Sequence, residues 1–148
     1  MEELTAEQKD KLRNEIAVQG AKLIGIPYEY GAEWTDYAKP PIALDCSELV
    51  EGIYKMVGLR MEDGAQNQFN FTVPTPNPQL SDLAFFGKNA DPNKIYHVGL
   101  LFHMGNILEA RGYDPSVKFE TGHVILRPKQ FWETWKNFVG YQSHPRLL

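Results

Sequence analysis

Apolar positions recur at helical spacing in the first half of the chain and form short runs typical of strands in the second half. Thr5-Ala6-Glu7-Gln8 has the form of a capping box and predicts a helix that extends to about Ile24. The apolar stripe of this helix consists of Leu12, Ile16 and Leu23. Residues 32–43 are predicted to be a loop, and residues 59–80, with three prolines, an irregular surface excursion anchored by Phe69 and Phe71.

A second helix is predicted to begin at Asp45, whose carboxylate can accept a hydrogen bond from a backbone N–H two or three residues on. Glu48 could reach back to complete a capping box, and Gly58 is placed to end the helix. Cys46, the only cysteine, then lies in the first turn, where unpaired N–H groups and the helix dipole favour negative charge. The thiolate is the nucleophilic form of cysteine, so Cys46 is the candidate nucleophile. The alternative is a small buried hydrophobic residue, which is the commoner role of a lone cysteine.

Short apolar runs after Asp82 predict a set of antiparallel strands. The run at 97–102 is apolar on both faces and is therefore predicted to be central in the sheet. Helical spacing returns between Phe131 and Phe138, and residues 139–141 are predicted to form a last, edge strand. Helices followed by antiparallel strands indicate an α+β fold in a single domain over residues 1–148. The other predicted strands are residues 83–86, 107–110, 117–119 and 124–127.

The loop His103-Met104-Gly105 sets the register of the hairpin between two of these strands. If Gly105 adopts a left-handed conformation, Leu101 pairs with Ile107. His97 and Glu109 then share one face as diagonal neighbours, whereas a two-residue turn would put Glu109 on the opposite face. With the first register, His97 can take the Cys46 proton and Glu109 can orient the imidazole. The alternative is that His97 only begins a strand and Glu109 only solvates one.

Composition narrows the function classes further. The 148 residues are 43% hydrophobic and 23% charged, which is typical of a globular domain. A net charge of −4 without a Lys/Arg cluster argues against a nucleic-acid partner. One cysteine excludes an internal disulfide and most zinc sites, and His103 and His123 are interpreted as turn or loop residues, so neither a metal nor a cofactor is expected.

The sequence has the pattern of neither a membrane span nor a signal peptide. No run approaches the ~18 apolar residues of a membrane span. The N-terminus is acidic and does not have the form of a signal peptide. We therefore expect synthesis in the cytosol, or release by a route that needs no such signal.

Several short motifs together resemble those of the NlpC-type cell-wall cysteine peptidases, a papain-like superfamily. The resemblance covers roughly residues 10–141. It implies a catalytic helix packed on a central antiparallel sheet and a peptide of the peptidoglycan stem as substrate, often cleaved between D-glutamate and a diamino acid. The motifs, in order, are Tyr28-Glu29-Tyr30-Gly31, Asp45-Cys46-Ser47, Ser81-Asp82-Leu83-Ala84-Phe85-Phe86, His97-Val98-Gly99-Leu100 and Ile107-Leu108-Glu109-Ala110.

The resemblance also implies a role for each matching position. Cys46 is the nucleophile, His97 the base and Glu109 the orienting residue. Tyr28 matches a tyrosine that helps to stabilise the oxyanion, and the backbone N–H of Cys46 could be a second donor. The positions of Asp45 and Ser47 contact the amino end of the peptide in related enzymes.

Two positions depart from the usual family pattern. Glu48 stands where glycine is usual, and its carboxylate is expected to crowd the cleft and to repel an acidic stem peptide. Glu109 stands where histidine is frequent, as in the related CHAP amidases and endopeptidases and in some phage-encoded members. The small size and the form of the N-terminus fit a phage-encoded lysin or tail-associated hydrolase, acting within a phage or envelope assembly.

Three functions therefore remain open from the sequence. The first is a peptidase of the peptidoglycan stem, and the second is an amidase or acyltransferase with the same triad. The third is a non-catalytic structural or binding domain in which Glu48 fills the cleft. Among the aromatic residues, Trp132 and Trp135 are predicted to be core, while Tyr30, Trp34 and Tyr37 either line the cleft or pack.

Overall fold

The computed structural model describes residues 2–148 and has four α-helices and one six-stranded sheet over that range. The observed pairs of strands are antiparallel, in the order β1-β6-β2-β3-β4-β5. The predicted α+β class is confirmed. The helices are α1 (Ala6–Ala21), α2 (Cys46–Met56), α3 (Ala65–Phe71) and α4 (Lys129–Glu133), and the strands are β1 (Val73–Pro74), β2 (Leu83–Gly87), β3 (Ile95–Leu101), β4 (Asn106–Ala110), β5 (Val124–Pro128) and β6 (Phe138–Ser143).

Helix α1 begins with the predicted capping box. Thr5 Oγ1 accepts from the Gln8 N–H at 3.1 Å, and Gln8 Oε1 accepts from the Thr5 N–H at 2.8 Å. The helix ends three residues before the predicted Ile24, in a turn. Its buried face includes Arg13, which forms an ion pair with the fully buried Asp82 at 2.7 Å. No apolar pattern signals this contact, because both partners are charged.

Helix α2 begins at Cys46 with Asp45 as its N-cap, as predicted. The Asp45 carboxylate accepts from the Glu48 N–H at 2.8 Å. The second half of the predicted capping box is wrong: Glu48 Oε1 instead accepts from the backbone N–H of Trp34 at 2.8 Å. The Glu48 side chain therefore ties the helix to the preceding loop rather than to its own N-cap.

Two apolar layers cover the two faces of the sheet. Helices α1 and α2 cover one face, and Trp132 of α4 covers the other. Because β3 is buried between these layers, its run of apolar residues is central, as predicted. Trp132 is fully buried as expected, whereas Trp135 is 46% exposed and its prediction as core is wrong. The first layer is built mainly from Leu49, Val50, Ile53, Tyr54, Leu83, Phe85, Val98, Leu100 and Leu108, and the second from Ala84, Phe86, Leu101, Ile107 and Trp132.

The predictions for the connecting segments are partly wrong. Residues 59–80 include α3 and β1, because Phe69 packs edge-on against Phe85 and so draws the segment onto the core. Residues 117–119 form a bend rather than a strand. Strand β6 is not at an edge, since β1 pairs with it on the side away from β2. The edges of the sheet are β1 and β5.

The hairpin between β3 and β4 has the predicted register. Leu101 pairs with Ile107, and the Phe102 N–H donates to the Asn106 carbonyl at 2.7 Å. Gly105 is left-handed, with φ of +69°, but Met104 also has a positive φ of +59°. The turn therefore contains two left-handed residues where the sequence predicted one.

A membrane-spanning helix is not found among residues 2–148, since none of their helices is both long and apolar enough.

The contact between Gly52 and Trp34 generates a stability prediction. A Cβ atom at Gly52 would overlap the Trp34 ring, which packs directly on α2. Overpacking costs about 1–3 kcal/mol, against a gain of about 1 kcal/mol from replacing a helical glycine with alanine. We expect Gly52→Ala to lower the free energy of unfolding by about 1–2 kcal/mol in urea denaturation. The loss should shrink in a Trp34→Leu background, and an equal loss in both backgrounds would contradict the packing argument.

Candidate active site

His97 of β3 and Glu109 of β4 lie on the same face of the hairpin. The Nε2 atom of His97 donates a hydrogen bond to Glu109 Oε1 at 2.9 Å. The predicted diagonal contact is confirmed, and it follows from the register that Gly105 permits. With Nε2 bound to the carboxylate, Nδ1 is the ring nitrogen that remains for Cys46.

The carboxylate of Glu109 is fully buried and accepts hydrogen bonds from three side chains. Besides His97, Arg127 donates from Nε at 2.7 Å and from Nη2 at 3.2 Å, and Trp132 donates from its indole N–H at 3.0 Å. Burial alone would raise the pKa of Glu109, but the interactions with His97 and Arg127 lower it to about 2. The group is therefore an anion at neutral pH, held in one orientation.

The imidazole of His97 stacks with two aromatic rings. The centroid of its ring lies 5.7 Å from that of Phe86 and 5.2 Å from that of Trp132. Burial lowers the pKa of His97, but its interactions with Cys46 and Glu109 outweigh burial and raise the pKa to about 9. The imidazolium, which is the protonated form of His97, is therefore favoured at neutral pH.

Hydrogen bonds fix the first turn of α2, where Cys46 lies. Asp45 Oδ2 accepts from the Gly31 N–H at 3.2 Å, and Asp45 Oδ1 accepts from the Ser47 hydroxyl at 3.2 Å. Gln68 of α3 is fully buried and donates to the Ser47 carbonyl at 2.9 Å. The position of the Cys46 backbone is thus set by the preceding loop and by α3, while its half-buried side chain interacts with His97.

Two cavities meet at this pair. The one lined by Cys46 has a volume of about 370 Å³, and the one lined by His97 has a volume of about 650 Å³. We call them the Cys46 cavity and the His97 cavity. Tyr28 and Tyr96 line both, so the two form halves of one cleft. Burial raises the pKa of Tyr28, and the nearby Cys46 and Asp45 raise it further, so its hydroxyl keeps a proton that it can donate to an oxyanion.

The remaining predicted site residues lie in the Cys46 cavity. Asp45, Ser47 and Glu48 all contribute to its lining. Burial, together with the neighbouring Glu51, Asp45 and Asp63, raises the pKa of Glu48 to about 7, against the lowering effect of the Trp34 N–H.

The three aromatic residues before Cys46 separate into two groups. Tyr30 lines the cavity and is 89% exposed. Trp34 instead is buried, and Tyr37 packs against it with ring centroids 5.1 Å apart. The cleft interpretation therefore holds for Tyr30, and the packing interpretation for the other two.

Carboxylates that could hold a cation also converge here. The ligand atoms of Glu48, Glu51 and Asp63 lie within 4.8 Å of one another. However, Glu51 accepts from the Lys55 ammonium group at 3.1 Å, and Glu48 accepts from the Trp34 N–H. Because two of the three already have partners within the protein, we interpret the cluster as structural; Glu48 and Asp63 form part of an acidic wall of the cavity.

Arg127 and the indole N–H of Trp132 were missed in the sequence analysis as parts of the site. A signal for Arg127 was available: β5 pairs Arg127 with Ile107, so Arg127 points to the same face as Glu109. A cation on the inward face of a half-apolar strand needs a buried anion, and Glu109 is that anion. The indole contact had no such signal, since Trp132 reaches the site from a separate helix.

Comparison with known proteins places these features in a family. The sequence model of the NlpC/P60 family matches residues 25–135. The peptidoglycan endopeptidase RipA of Mycolicibacterium smegmatis is 28% identical over 101 residues, which are 62% of this chain and 20% of RipA. The bifunctional muramidase/DL-endopeptidase CwlT of Bacillus subtilis is 26% identical over 106 residues, 70% of this chain and 30% of CwlT. The chain thus spans less than a third of the length of either relative.

Solved structures agree on the fold. An NlpC/P60 family protein from Bacillus cereus superposes with a TM-score of 0.72 at 19% identity, over 89% of this chain and 40% of that protein. Three structures of RipA, mutated at a cysteine, a histidine or a glutamate, superpose with TM-scores of 0.68–0.71 at 20% identity, over 94–95% of this chain and 64–65% of those chains. Since the family model matches most of its length, this chain belongs to the NlpC/P60 family.

Proposed function

We propose that this protein is a cysteine hydrolase that cleaves amide bonds in the stem peptides of peptidoglycan. The observation that carries the proposal is the imidazole of His97, which interacts with Cys46 and donates at 2.9 Å to the buried Glu109. The family and its relatives RipA and CwlT, both named as endopeptidases, support a peptidoglycan hydrolase in general. The histidine and glutamate mutated in RipA are twelve positions apart, as are His97 and Glu109.

The first half of the reaction forms a thioester. His97 Nδ1 holds the proton that the thiol has given up, and the Cys46 sulfur, as a thiolate, attacks the carbonyl carbon of the scissile amide. The Tyr28 hydroxyl and the Cys46 backbone N–H are placed to stabilise the oxyanion of the tetrahedral intermediate. When the intermediate collapses, the C–N bond breaks and the imidazolium gives its proton to the departing amine.

The second half regenerates the free Cys46 side chain. His97, now neutral, takes a proton from a water molecule that attacks the thioester carbonyl. The C–S bond breaks, the acid product leaves, and the sulfur is again paired with the protonated imidazole. Glu109 stays charged throughout because its pKa of about 2 is far below neutral pH, and it stabilises the imidazolium each time that it forms.

This chemistry assigns a direction to the cleft. The acyl part of the substrate is bound to the sulfur, so it lies in the Cys46 cavity. The leaving amine must receive its proton from His97, so the leaving part lies in the His97 cavity. Asp45 and Ser47 are therefore on the side of the peptide's amino end, which agrees with the roles implied for them.

Replacement of the nucleophile is the first test. Cys46→Ala should abolish release of peptide fragments from purified peptidoglycan, measured by liquid chromatography and mass spectrometry, because no thioester can form. Fragment masses from the wild-type digest name the bond, and thereby separate an endopeptidase from an amidase with the same triad. Glu15→Ala, at an exposed position of α1 that lines neither cavity, is the control variant and should release the same fragments as the wild type.

The non-catalytic alternative gives the opposite result. A structural or binding domain would release no fragments, either as wild type or as Cys46→Ala. Equal release by wild type and Cys46→Ala would also contradict the proposal. Circular dichroism of both proteins shows whether each is folded.

The pH dependence tests the role of Glu109. Proton donation by His97 should be lost as pH rises through about 9, so kcat/KM should fall on that alkaline limb. Because Glu109 helps to raise the pKa of His97, Glu109→Gln should move the limb to lower pH as well as reduce the rate. Initial rates of fragment release between pH 5 and pH 10 measure both effects.

Glu133→Gln removes the same charge at an exposed position and is the matched control. Its alkaline limb should stay near that of the wild type. An unshifted limb in a folded Glu109→Gln protein would contradict the proposed coupling.

A further inference from the structure

The two halves of the cleft carry opposite charges. Carboxylate side chains line the Cys46 cavity, and no lysine or arginine is among its lining residues. The His97 cavity is instead lined by two arginines, Arg111 and Arg127, and by one carboxylate, that of Asp114. The acidic residues of the Cys46 cavity are Glu33, Asp45, Glu48 and Asp63.

The two arginines differ in how many of their N–H donors are hydrogen-bonded to other groups of the protein. Arg127 donates two hydrogen bonds to the buried Glu109, so its charge is neutralised within the site. For Arg111, the side-chain hydrogen bond observed within residues 2–148 is a long contact of 3.5 Å from Nη2 to Asp114 Oδ2. A guanidinium group has five N–H donors, so most of those of Arg111 remain available to a ligand.

The Asp114 carboxylate is shared between Arg111 and Ser116. Its Oδ1 accepts from the backbone N–H of Ser116 at 2.9 Å and from the Ser116 hydroxyl at 2.6 Å. The Arg111 guanidinium lies 5.0 Å from the centroid of the Phe119 ring, which supports it from one side. The side chain of Arg111 is 24% exposed, so it is both held in place and open to the cavity.

We propose that Arg111 is a specificity-determining residue that binds a carboxylate group on the leaving part of the substrate. The inference rests on the proposed function, because that reaction places the leaving part in the His97 cavity. A planar guanidinium matches a carboxylate with two parallel hydrogen bonds, which an amide in the same place cannot form. The preferred substrate is therefore a peptide whose residue after the scissile bond carries a free carboxylate.

A matched pair of synthetic peptides tests this preference. The probes are L-alanyl-γ-D-glutamyl-L-lysine and its C-terminal amide, which differ only in the carboxylate of the leaving lysine. We expect wild type to favour the free acid in kcat/KM by about tenfold or more, as a hydrogen-bonded charge pair would give. In Arg111→Ala this ratio should fall to near one, and in Arg111→Lys it should be intermediate.

Lys118→Ala is the matched control. It removes a positive charge from an exposed position in the same loop, outside the lining of the cavity, and should keep the wild-type ratio. If Arg111 served only to hold its loop, Arg111→Ala would slow both peptides alike and leave the ratio unchanged. That outcome, or a wild type that cleaves the two peptides with equal kcat/KM, overturns the proposal.

A binding measurement keeps the test independent of catalysis. Isothermal titration of Cys46→Ala and of Cys46→Ala/Arg111→Ala with both peptides should show the same Arg111-dependent preference for the free acid. If wild type cleaves neither peptide while this binding preference is present, the proposed hydrolysis fails and the carboxylate site stands. If the titrations show no preference dependent on Arg111, the carboxylate site is overturned.

Discussion

The buried carboxylate of Glu109 is the group on which the rest of the site depends. It joins four elements, since its donors come from β3, β5 and α4 while it lies on β4 itself. An ionised carboxylate in the interior is tolerated only when such partners are present, so their positions are coupled. Its lowered pKa means that its contribution to stability is full above pH 4.5 and is lost as pH falls through about 2. The raised pKa of His97 acts in the opposite sense: its contribution is full below pH 6.5 and is lost as pH rises through about 9.

The two layers of the fold bring the thiol to this charged group. Helix α2 is held against one face of the sheet by its apolar residues, and its first turn is fixed by Asp45 and by Gln68. The opposite face holds Phe86 and Trp132, which stack with the imidazole. The Cys46 thiol and the His97 imidazole thus belong to different layers, and each is positioned by packing that does not involve the other. Because these two sets of contacts are separate, the position of the thiol relative to the imidazole depends on the packing of the whole domain.

The two cavities of the cleft also differ, in the charges of the residues that line them. Tyr28 and Tyr96 line both cavities, so a peptide of the kind proposed as substrate would contact them where the cavities join. Carboxylates line the Cys46 cavity and Arg111 lines the His97 cavity, so the electrostatic potential becomes more positive from the first cavity to the second. Opposite charges at the two ends of the cleft favour one orientation of a peptide that itself carries opposite charges, because the reversed orientation would bring like charges together. Glu48 contributes only part of a negative charge to the Cys46 cavity at neutral pH, because its pKa is raised to about 7.

Local sequence determined the caps of α1 and α2, the central position of β3 and the register of the hairpin, because each depends on residues close together in the chain. It also identified Cys46, His97 and Glu109 as residues that could act together, which the structure brings into one cluster. Only the tertiary structure decided the partner of Glu48, the hydrogen bond from the Trp132 indole to Glu109, and the place of β6 inside the sheet. These features depend on contacts between segments far apart in sequence, where local pattern carries no information about which polar groups will meet.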